Sequence, residues 1–522
     1  MSLDYLLTWW GILAGWAVAA PLAAAVAQGP VGQPRLRAAA LRFPVTARVG
    51  SPTYGRTGTM VEEVAGPLKT TVMLLEDGSL RLCLVMTDFH VNALNLSDFV
   101  RRTVAEELKL PASHVLVFSS HDHSVPRLAT NEIAAYVSYA ERTDEAPKLD
   151  LLPVGRELFD KLRSHVRRLP DMLQPATVWW AEGREGRITY NRKGRCADGS
   201  TYFMREEDRV LVGEDFCGDI DQQAPVVVLK NKAGQPLGGL VQFTGHPVTS
   251  YHPEKLVVFG EWPQVACDMA AEHLSPSEPA AVGFLQGCAG DVSSKEMFEG
   301  GVQRAREFGR LLGASYIKAM DELRPSRRDG LDYATQNVKL PLAALPPKKT
   351  LLAEIAEMED FIRRADAGDE DTLSCVGLNF PRGLTPAYRG ALVKLVLPWN
   401  RWALDLYETG RTGTAMKHLE IPIYVLRLGD VGIVGMPCEP FQGIGRQIRR
   451  GSPLPLAIPC GYTNGSHAYI TDAANTGDRE YMSAFYRYTK FRPPYEKPAG
   501  DVMAARAVEI LNRFADKQKD TP

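Results

Sequence analysis

Two histidines stand two positions apart just after an apolar run. Residues 115–118 (VLVF) form the run, and His121 and His123 follow it with Asp122 between them. The run predicts a buried strand, and along an extended chain the side chains of residues i and i+2 face the same side. Two imidazoles that face one side suit a zinc site or a proton-transfer pair. The segment alone does not decide, because paired histidines also occur where they only satisfy each other and nearby carbonyls.

Three further polar residues follow apolar, strand-like runs: His246, Glu439 and Tyr469. The runs are residues 240–243, 431–435 and 456–459. Open sheets place their sites at strand ends, and two histidines with one glutamate are a standard ligand set for catalytic zinc. Each residue also has a structural interpretation. His246 could end a strand with a hydrogen bond, Glu439 could cap a helix through residues 441–450, and Tyr469 could be an ordinary core residue.

Six segments that carry these residues occur in a fixed order. They are HDHSVP at 121–126, NR at 191–192, HPVTS at 246–250, GCAGDVSS at 287–294, LGD at 428–430 with PCEPF at 437–441, and NGSHAYIT at 464–471. In order and approximate separation they resemble the catalytic domain of the neutral/alkaline (non-lysosomal) ceramidases, a family of zinc-dependent amidases. The resemblance extends over roughly residues 45–512.

The resemblance implies a role for eight residues. It implies four zinc ligands, which are His121, His246, Glu439 and Tyr469. It implies four further site residues, which are His123, Arg192, Ser293 and Tyr481. The cofactor that it implies is therefore Zn²⁺, and the substrate is a small-molecule or lipid amide.

The implied mechanism is metal-assisted hydrolysis of an amide. Zinc lowers the pKa of its bound water to about 7, and the resulting hydroxide attacks the carbonyl. Zinc, Arg192 and Tyr481 would stabilise the oxyanion, and His123 would pass a proton to the leaving amine. Ser293 matches a family serine that is interpreted either as a nucleophile or as a group that lines the site. We expect the second role, since the sequence fixes no histidine or lysine beside Ser293, which could also cap a following helix.

Several residues depart from the family pattern. Val125 and Arg127 stand where the family prefers glycine, Cys438 replaces the glycine before the glutamate, and Ser466 replaces a tyrosine. The proposed ligands are unaffected, but Val125 and Arg127 predict a narrower or more polar entrance than ceramide needs. Two alternatives therefore stay open: a zinc esterase or lactonase on the same scaffold, and a lipid- or carbohydrate-binding relative that has lost catalysis.

The patterns predict a mixed α+β fold with a β-sheet core flanked by helices and the zinc site at strand ends. Residues 1–27 predict a signal peptide, since Ala25-Val26-Ala27 ends a long apolar stretch; a membrane anchor or a misassigned start is the alternative. Residues 28–42 are expected to be a flexible lead-in, 43–514 one catalytic domain and 515–522 a polar tail. A helical insertion at about 345–412 could form a wall of the cleft or a packed surface subdomain.

The net charge argues against one class of function, and the cysteine spacing bears on disulfide bonds. The formal net charge of −2 over 522 residues gives no basis for nucleic-acid binding. The eight cysteines show no C-x-x-C pair, so most are expected to be free, buried thiols, although the polar segment between Cys196 and Cys217 could be closed by a disulfide. We expect a secreted or periplasmic protein. Association with a membrane surface and the oligomeric state stay open.

Overall fold

The computed structural model describes residues 35–54, 59–78, 80–132, 148–489 and 492–517. All of them belong to one compact unit, Pro34–Pro522. The predicted signal peptide or anchor at 1–27 lies outside the described residues, as do residues 518–522 of the predicted tail. Within the described ranges, no helix has the length and the hydropathy that crossing a membrane requires.

The described residues contain nine α-helices and twenty-four strands. The helices are α1 (Leu94–Leu108), α2 (Pro153–Met172), α3 (Glu206–Val212), α4 (Glu261–Leu274), α5 (Gly301–Met320), α6 (Lys348–Asp366), α7 (Pro386–Glu408), α8 (Gln442–Gly451) and α9 (Asp501–Asp516). The first twelve strands are β1 (Leu36–Val45), β2 (Val61–Val64), β3 (Leu68–Asp77), β4 (Leu80–Thr87), β5 (Val115–Ser119), β6 (Gln174–Pro175), β7 (Thr177–Arg184), β8 (Thr189–Asn191), β9 (Lys193–Arg195), β10 (Thr201–Phe203), β11 (Gln223–Lys230) and β12 (Pro236–Phe243). The other twelve are β13 (Leu256–Val258), β14 (Val282–Gln286), β15 (Val292–Ser294), β16 (Arg324–Pro325), β17 (Leu331–Pro341), β18 (Ser374–Cys375), β19 (Leu378–Asn379), β20 (His418–Leu428), β21 (Val431–Gly435), β22 (Glu439–Pro440), β23 (Leu456–Cys460) and β24 (Tyr469–Ile470).

Three sheets carry most of these strands. Their strand orders are β5-β4-β3-β1-β6, β14-β12-β11-β7-β16 and β17-β20-β21-β23. Each sheet is antiparallel apart from one parallel pair at an edge, which is β4 with β5, β12 with β14, and β21 with β23. The edge pairs matter for function, because the carboxyl ends of parallel strands meet at one side of a sheet.

A shared core joins the three sheets, and a pair of helices covers the other face of each. On β3, Met73 and Leu75 face the shared core, whereas Val72 and Leu74 pack against α1 and α2. Strands β11 and β20 alternate in the same way between the shared core and the helix pairs α4–α5 and α8–α9. Burial on both faces explains why the sequence shows continuous apolar runs instead of alternation. The predicted α+β class, with a sheet core flanked by helices, is confirmed.

Local sequence signals account for several of these elements. The hairpin turn at Asp77-Gly78 joins β3 to β4, with Gly78 at a φ of 58° that suits glycine. Helices α6 and α7 occupy the predicted helical insertion. Helix α7 continues from Pro386 to Glu408 with Pro398 inside it.

The structure corrects the expected lead-in. Residues 36–42 belong to β1, which pairs along its whole length with β3 and at its start with β6. Leu36 and Ala38 are fully buried in the shared core. Small and apolar side chains at a sheet interior favour a strand over a flexible segment, so the expectation fails for this part of residues 28–42.

Candidate active site

The parallel strand pairs deliver the candidate ligands. His121 follows β5, His246 follows β12, and Glu439 and Tyr469 lie in the short strands β22 and β24 that follow β21 and β23. Strands β22 and β24 pair in parallel with Glu439 opposite Tyr469. Backbone pairing of His246 with Ser293 fixes the second histidine in the same way. The four side chains therefore meet where the strands of all three sheets end.

His121 reaches the site by a route that strand periodicity does not predict. Strand β5 ends at Ser119, and His121 has a φ of 64°, in the left-handed region that histidine visits more often than most residues. The Oγ of Ser119 accepts the His121 N–H at 3.2 Å and holds this turn. His121 and His123 still converge, with 3.2 Å between their Nε2 atoms. The expected convergence is present, but a turn produces it instead of an extended chain.

The candidate ligand atoms have the spacing of a tetrahedral metal site. Oε2 of Glu439 lies 3.1 Å from Nε2 of His246 and 3.3 Å from Nε2 of His121, and Oη of Tyr469 lies 3.4 Å from Nε2 of His246. Ligands about 2.0–2.1 Å from a tetrahedral zinc are about 3.3 Å from one another. Three contacts among these four side chains therefore have the separation expected of ligands to one zinc ion.

The protonation states of His246 and Glu439 also suit a cation bound between the candidate ligands. Burial lowers the pKa of His246 to about 3, and Nδ1 of this ring donates to the carbonyl of Ala289 at 2.7 Å. Its Nε2 therefore carries a lone pair, which faces Glu439 and the guanidinium of Arg192. Burial opposes ionisation of Glu439, but His121 and His246 outweigh it and hold the pKa of Glu439 well below its usual value. A lone pair that faces a carboxylate at 3.1 Å is stabilised by a positive charge beside them.

Arg192 supplies one positive charge beside the ligands. Its NH2 group donates to Nε2 of His246 at 3.1 Å, to Oη of Tyr469 at 2.9 Å and to the carbonyl of Gly290 at 2.9 Å. The guanidinium is 4% exposed and packs against the rings of Tyr469 and Phe203. Burial raises the pKa of the Tyr469 phenol, although Arg192 opposes this shift.

Three site residues escaped the sequence analysis. The ring of Tyr462 stacks on that of His121 with centroids 4.2 Å apart, and His90 lies 4.8 Å from the same ring. Asn92 donates through Nδ2 to Nδ1 of His121 at 2.6 Å, while its own Oδ1 has no partner among the described residues. A half-turn of this amide would place Oδ1 on a protonated Nδ1 and leave Nε2 free for a metal, the second-shell arrangement that metal-binding histidines use. None of the three belongs to a recognisable motif, so only the nearby apolar run at 82–87 could have drawn attention to His90 and Asn92.

Tyr481 forms an aromatic wall next to the ligands. Its ring lies 5.9 Å from that of Tyr469 and 5.7 Å from that of Phe203. The same ring packs against the hydrophobic cluster of α6 and α7 that includes Phe361 and Val393. The helical insertion therefore packs against Tyr481, and its role as a wall of the cleft or as a packed surface subdomain stays a prediction.

Ser293 pairs through its backbone with the candidate ligand His246. The residue is fully buried in β15, opposite Tyr190 of β8. Its Oγ has no hydrogen-bond partner within the described residues. No described histidine or lysine is hydrogen-bonded to this Oγ, and the role of Ser293 in lining the site stays a prediction.

The residues that depart from the family pattern lie in different environments. Val125 is fully buried in the core below the first sheet, so its bulk fills the core and does not narrow an entrance. Arg127 is half-buried and its N–H donates to the carbonyl of Pro52; its effect on the entrance stays a prediction. All eight cysteines are free, six of them buried, including Cys438 directly before the glutamate.

Comparison with known proteins finds ceramidase structures at low sequence identity. No protein-family model matches the chain, and neither does any curated protein sequence. A solved structure of a ceramidase complexed with C2 matches with a TM-score of 0.60 and 17% identity, over 92% of this chain and 76% of that one. The neutral ceramidase from Pseudomonas aeruginosa matches with a TM-score of 0.54 and 16% identity, over 91% and 75% of the two chains. At these identities the likeness shows a shared fold.

Proposed function

We propose that this chain is an exported, zinc-dependent hydrolase that cleaves the amide bond of an N-acyl lipid or a related N-acyl compound, with residues 43–514 acting as one catalytic domain. The observation that carries the proposal is the convergence of His121, His246, Glu439 and Tyr469, with contacts of 3.1–3.4 Å between neighbouring ligand atoms. The ceramidase fold supports amide chemistry over other metal-dependent reactions.

Zinc held by these four side chains would lower the pKa of a water molecule to about 7 and polarise the amide carbonyl. Arg192 lies beside the ligands with a permanent charge, so it would donate to the carbonyl oxygen as negative charge develops there. Burial raises the pKa of Tyr481 well above its usual value, so the phenol keeps its proton and would donate to the same oxygen.

His123 is the candidate for proton transfer. It is more exposed than His121 and His246, and its Nε2 lies 3.2 Å from Nε2 of His121. It would accept the proton that the attacking water loses and would give it to the amide nitrogen as the C–N bond breaks. The products are a carboxylic acid and a free amine, and amines leave poorly unless protonated.

Apolar side chains beside the ligands favour an acyl chain as the group bound. Phe203, Met482 and Phe485 form a cluster with Tyr469, and Tyr481 packs against it. Tyr251, whose ring lies 5.2 Å from that of His123, extends this surface. Aromatic and aliphatic side chains next to a few polar groups are typical of sites for ligands with an apolar body.

Metal analysis combined with paired substrates tests the proposal. The purified chain is expected to contain one zinc and to hydrolyse an N-acyl amide in preference to the matched ester. A chelator or His246→Ala should lower the rate by about a hundredfold or more, and zinc should restore the chelated wild type. His252→Ala, a half-buried histidine outside the ligand set, is the matched control. Full activity without metal would overturn the proposal, and preference for the ester would favour the esterase alternative.

A further inference from the structure

A second group of three imidazoles lies beside the candidate zinc ligands. In His90, His121 and His123, one ring nitrogen of each lies within 4.8 Å of the others. The Nε2 atoms of His121 and His123 are 3.2 Å apart, close to the separation of about 3.3 Å expected for two ligands of one tetrahedral ion. The proposed reaction uses two of these residues and leaves His90 without a role.

His90 has a ring nitrogen available for a ligand. The residue is 5% exposed, and its Nδ1 has no hydrogen-bond partner among the described residues. Tyr54 stacks on its ring with centroids 3.6 Å apart, which holds the imidazole beside His121 and His123. A buried polar atom without a partner costs about 1–3 kcal/mol, a cost that coordination of a cation at this nitrogen would offset.

A single amide, that of Asn92, could fix the tautomers of both His90 and His121. Its Nδ2 lies 2.6 Å from Nδ1 of His121 and 3.4 Å from Nε2 of His90. With the amide turned by half a revolution, Oδ1 would take this place and accept a proton from each ring. The remaining nitrogens, Nε2 of His121 and Nδ1 of His90, would then both be unprotonated, as metal ligands must be.

We propose that His90, His121 and His123 form a second position for a divalent cation, next to the position formed by His121, His246 and Glu439. The two positions share His121, whose Nε2 lies 3.3 Å from Glu439 and 3.2 Å from His123. One lone pair can bind one ion, so the two positions exclude each other. The second position consists of imidazoles alone, a set that suits Cu²⁺, Ni²⁺ and Zn²⁺.

Binding at the second cation position can be measured in a variant that lacks a ligand of the first. The full chain carrying His246→Ala is titrated with Co²⁺ and Cu²⁺ alone, followed by visible absorption and by the nitrogen hyperfine pattern of Cu²⁺. We expect this variant to bind one ion. Adding His90→Ala should weaken binding by about tenfold or more, since it removes one of three ligands, whereas adding His252→Ala should not. Circular dichroism checks that each variant is folded; if His246→Ala does not fold, Glu439→Gln provides the same background.

Two results would overturn the second position. One is a folded His246→Ala or Glu439→Gln chain that binds no ion, or binds it equally well after His90→Ala. The other is loss of zinc from the wild-type background on His90→Ala alone, which would make His90 a ligand of a single shared site. The measurement concerns metal binding without substrate, so its failure is distinct from failure of the proposed amide hydrolysis.

Discussion

Glu354 connects the helical insertion to the segment that carries Tyr481. The glutamate lies on α6 and is 4% exposed. One carboxylate oxygen accepts from Arg479 and, at 2.9 Å, from Arg487, and the other accepts from Asn400 at 2.7 Å. Since the two arginines flank Tyr481 in sequence, we predict that Glu354→Ala both destabilises the fold and misplaces Tyr481.

The structure allows the size of this effect to be worked out. The Arg487 side chain is 5% exposed, so removal of Glu354 leaves a buried guanidinium without its counter-charge, which costs about 3–5 kcal/mol. Arg479 is 66% exposed, and its ion pair contributes only about 0–1 kcal/mol. Glu354→Gln keeps the shape and an acceptor oxygen, so about 1–3 kcal/mol is expected for that change.

Urea unfolding followed by far-ultraviolet circular dichroism measures the free energy of unfolding. Glu359→Ala is the matched control, because Glu359 lies on the same helix and pairs with Arg401 where both side chains are at least 50% exposed. The control should lose no more than about 1 kcal/mol. Under conditions where Glu354→Ala is still folded, kcat for an N-acyl amide should fall about tenfold through displacement of Tyr481.

A double variant separates the ion pair from the shape of the side chain. Arg487→Met removes the buried charge that Glu354→Ala leaves unpaired, so the double variant should be more stable than Glu354→Ala alone. The reasoning is refuted if Glu354→Ala loses no more stability than Glu359→Ala. It is also refuted if the Arg487→Met change destabilises both backgrounds equally.

Three other predictions address the site and its surroundings. Ser293→Ala should keep activity within about tenfold of the wild type, and no acyl-enzyme should be detected on Ser293 by mass spectrometry, because no base lies beside its Oγ. Burial raises the pKa of Asp88 to about 7, against about 3.9 in an unfolded chain, so the folded state holds a proton between these values and the free energy of unfolding should fall as the pH rises from 4 to 7. Asp88→Asn should flatten this slope and gain up to about 4 kcal/mol over the wild type at pH 8; equal slopes for the two proteins would contradict it. If Arg127 lies at the entrance as the sequence predicts, Arg127→Gly should raise the turnover of a long-chain ceramide relative to short N-acyl amino acids, because it removes a charge from the path of an apolar chain. An unchanged ratio would count against a role for Arg127.

The sequence by itself determined the class of fold and the residues that meet at its centre. Strongly apolar runs before His121, His246 and Glu439 define buried strands, because burial on both faces leaves no polar alternation. Strand ends are where open sheets collect polar side chains, so the convergence of these residues follows from local pattern together with the family motifs. The helices of the insertion were also predictable from local pattern, because apolar residues recur at helical spacing within single segments.

Only the tertiary structure decided the contacts between residues distant in sequence. Residues 36–42, expected to be a flexible lead-in, form a buried strand because β1 pairs with β3. The small side chains of β1 do not by themselves indicate a strand, so the pairing with β3 decides its structure. The left-handed turn at His121 replaces the extended chain that periodicity predicts. His90, Asn92 and Glu354 belong to no motif, and their roles depend on which side chains the fold brings within hydrogen-bond distance. Such contacts depend on the packing of sheets and helices, which local sequence patterns do not encode.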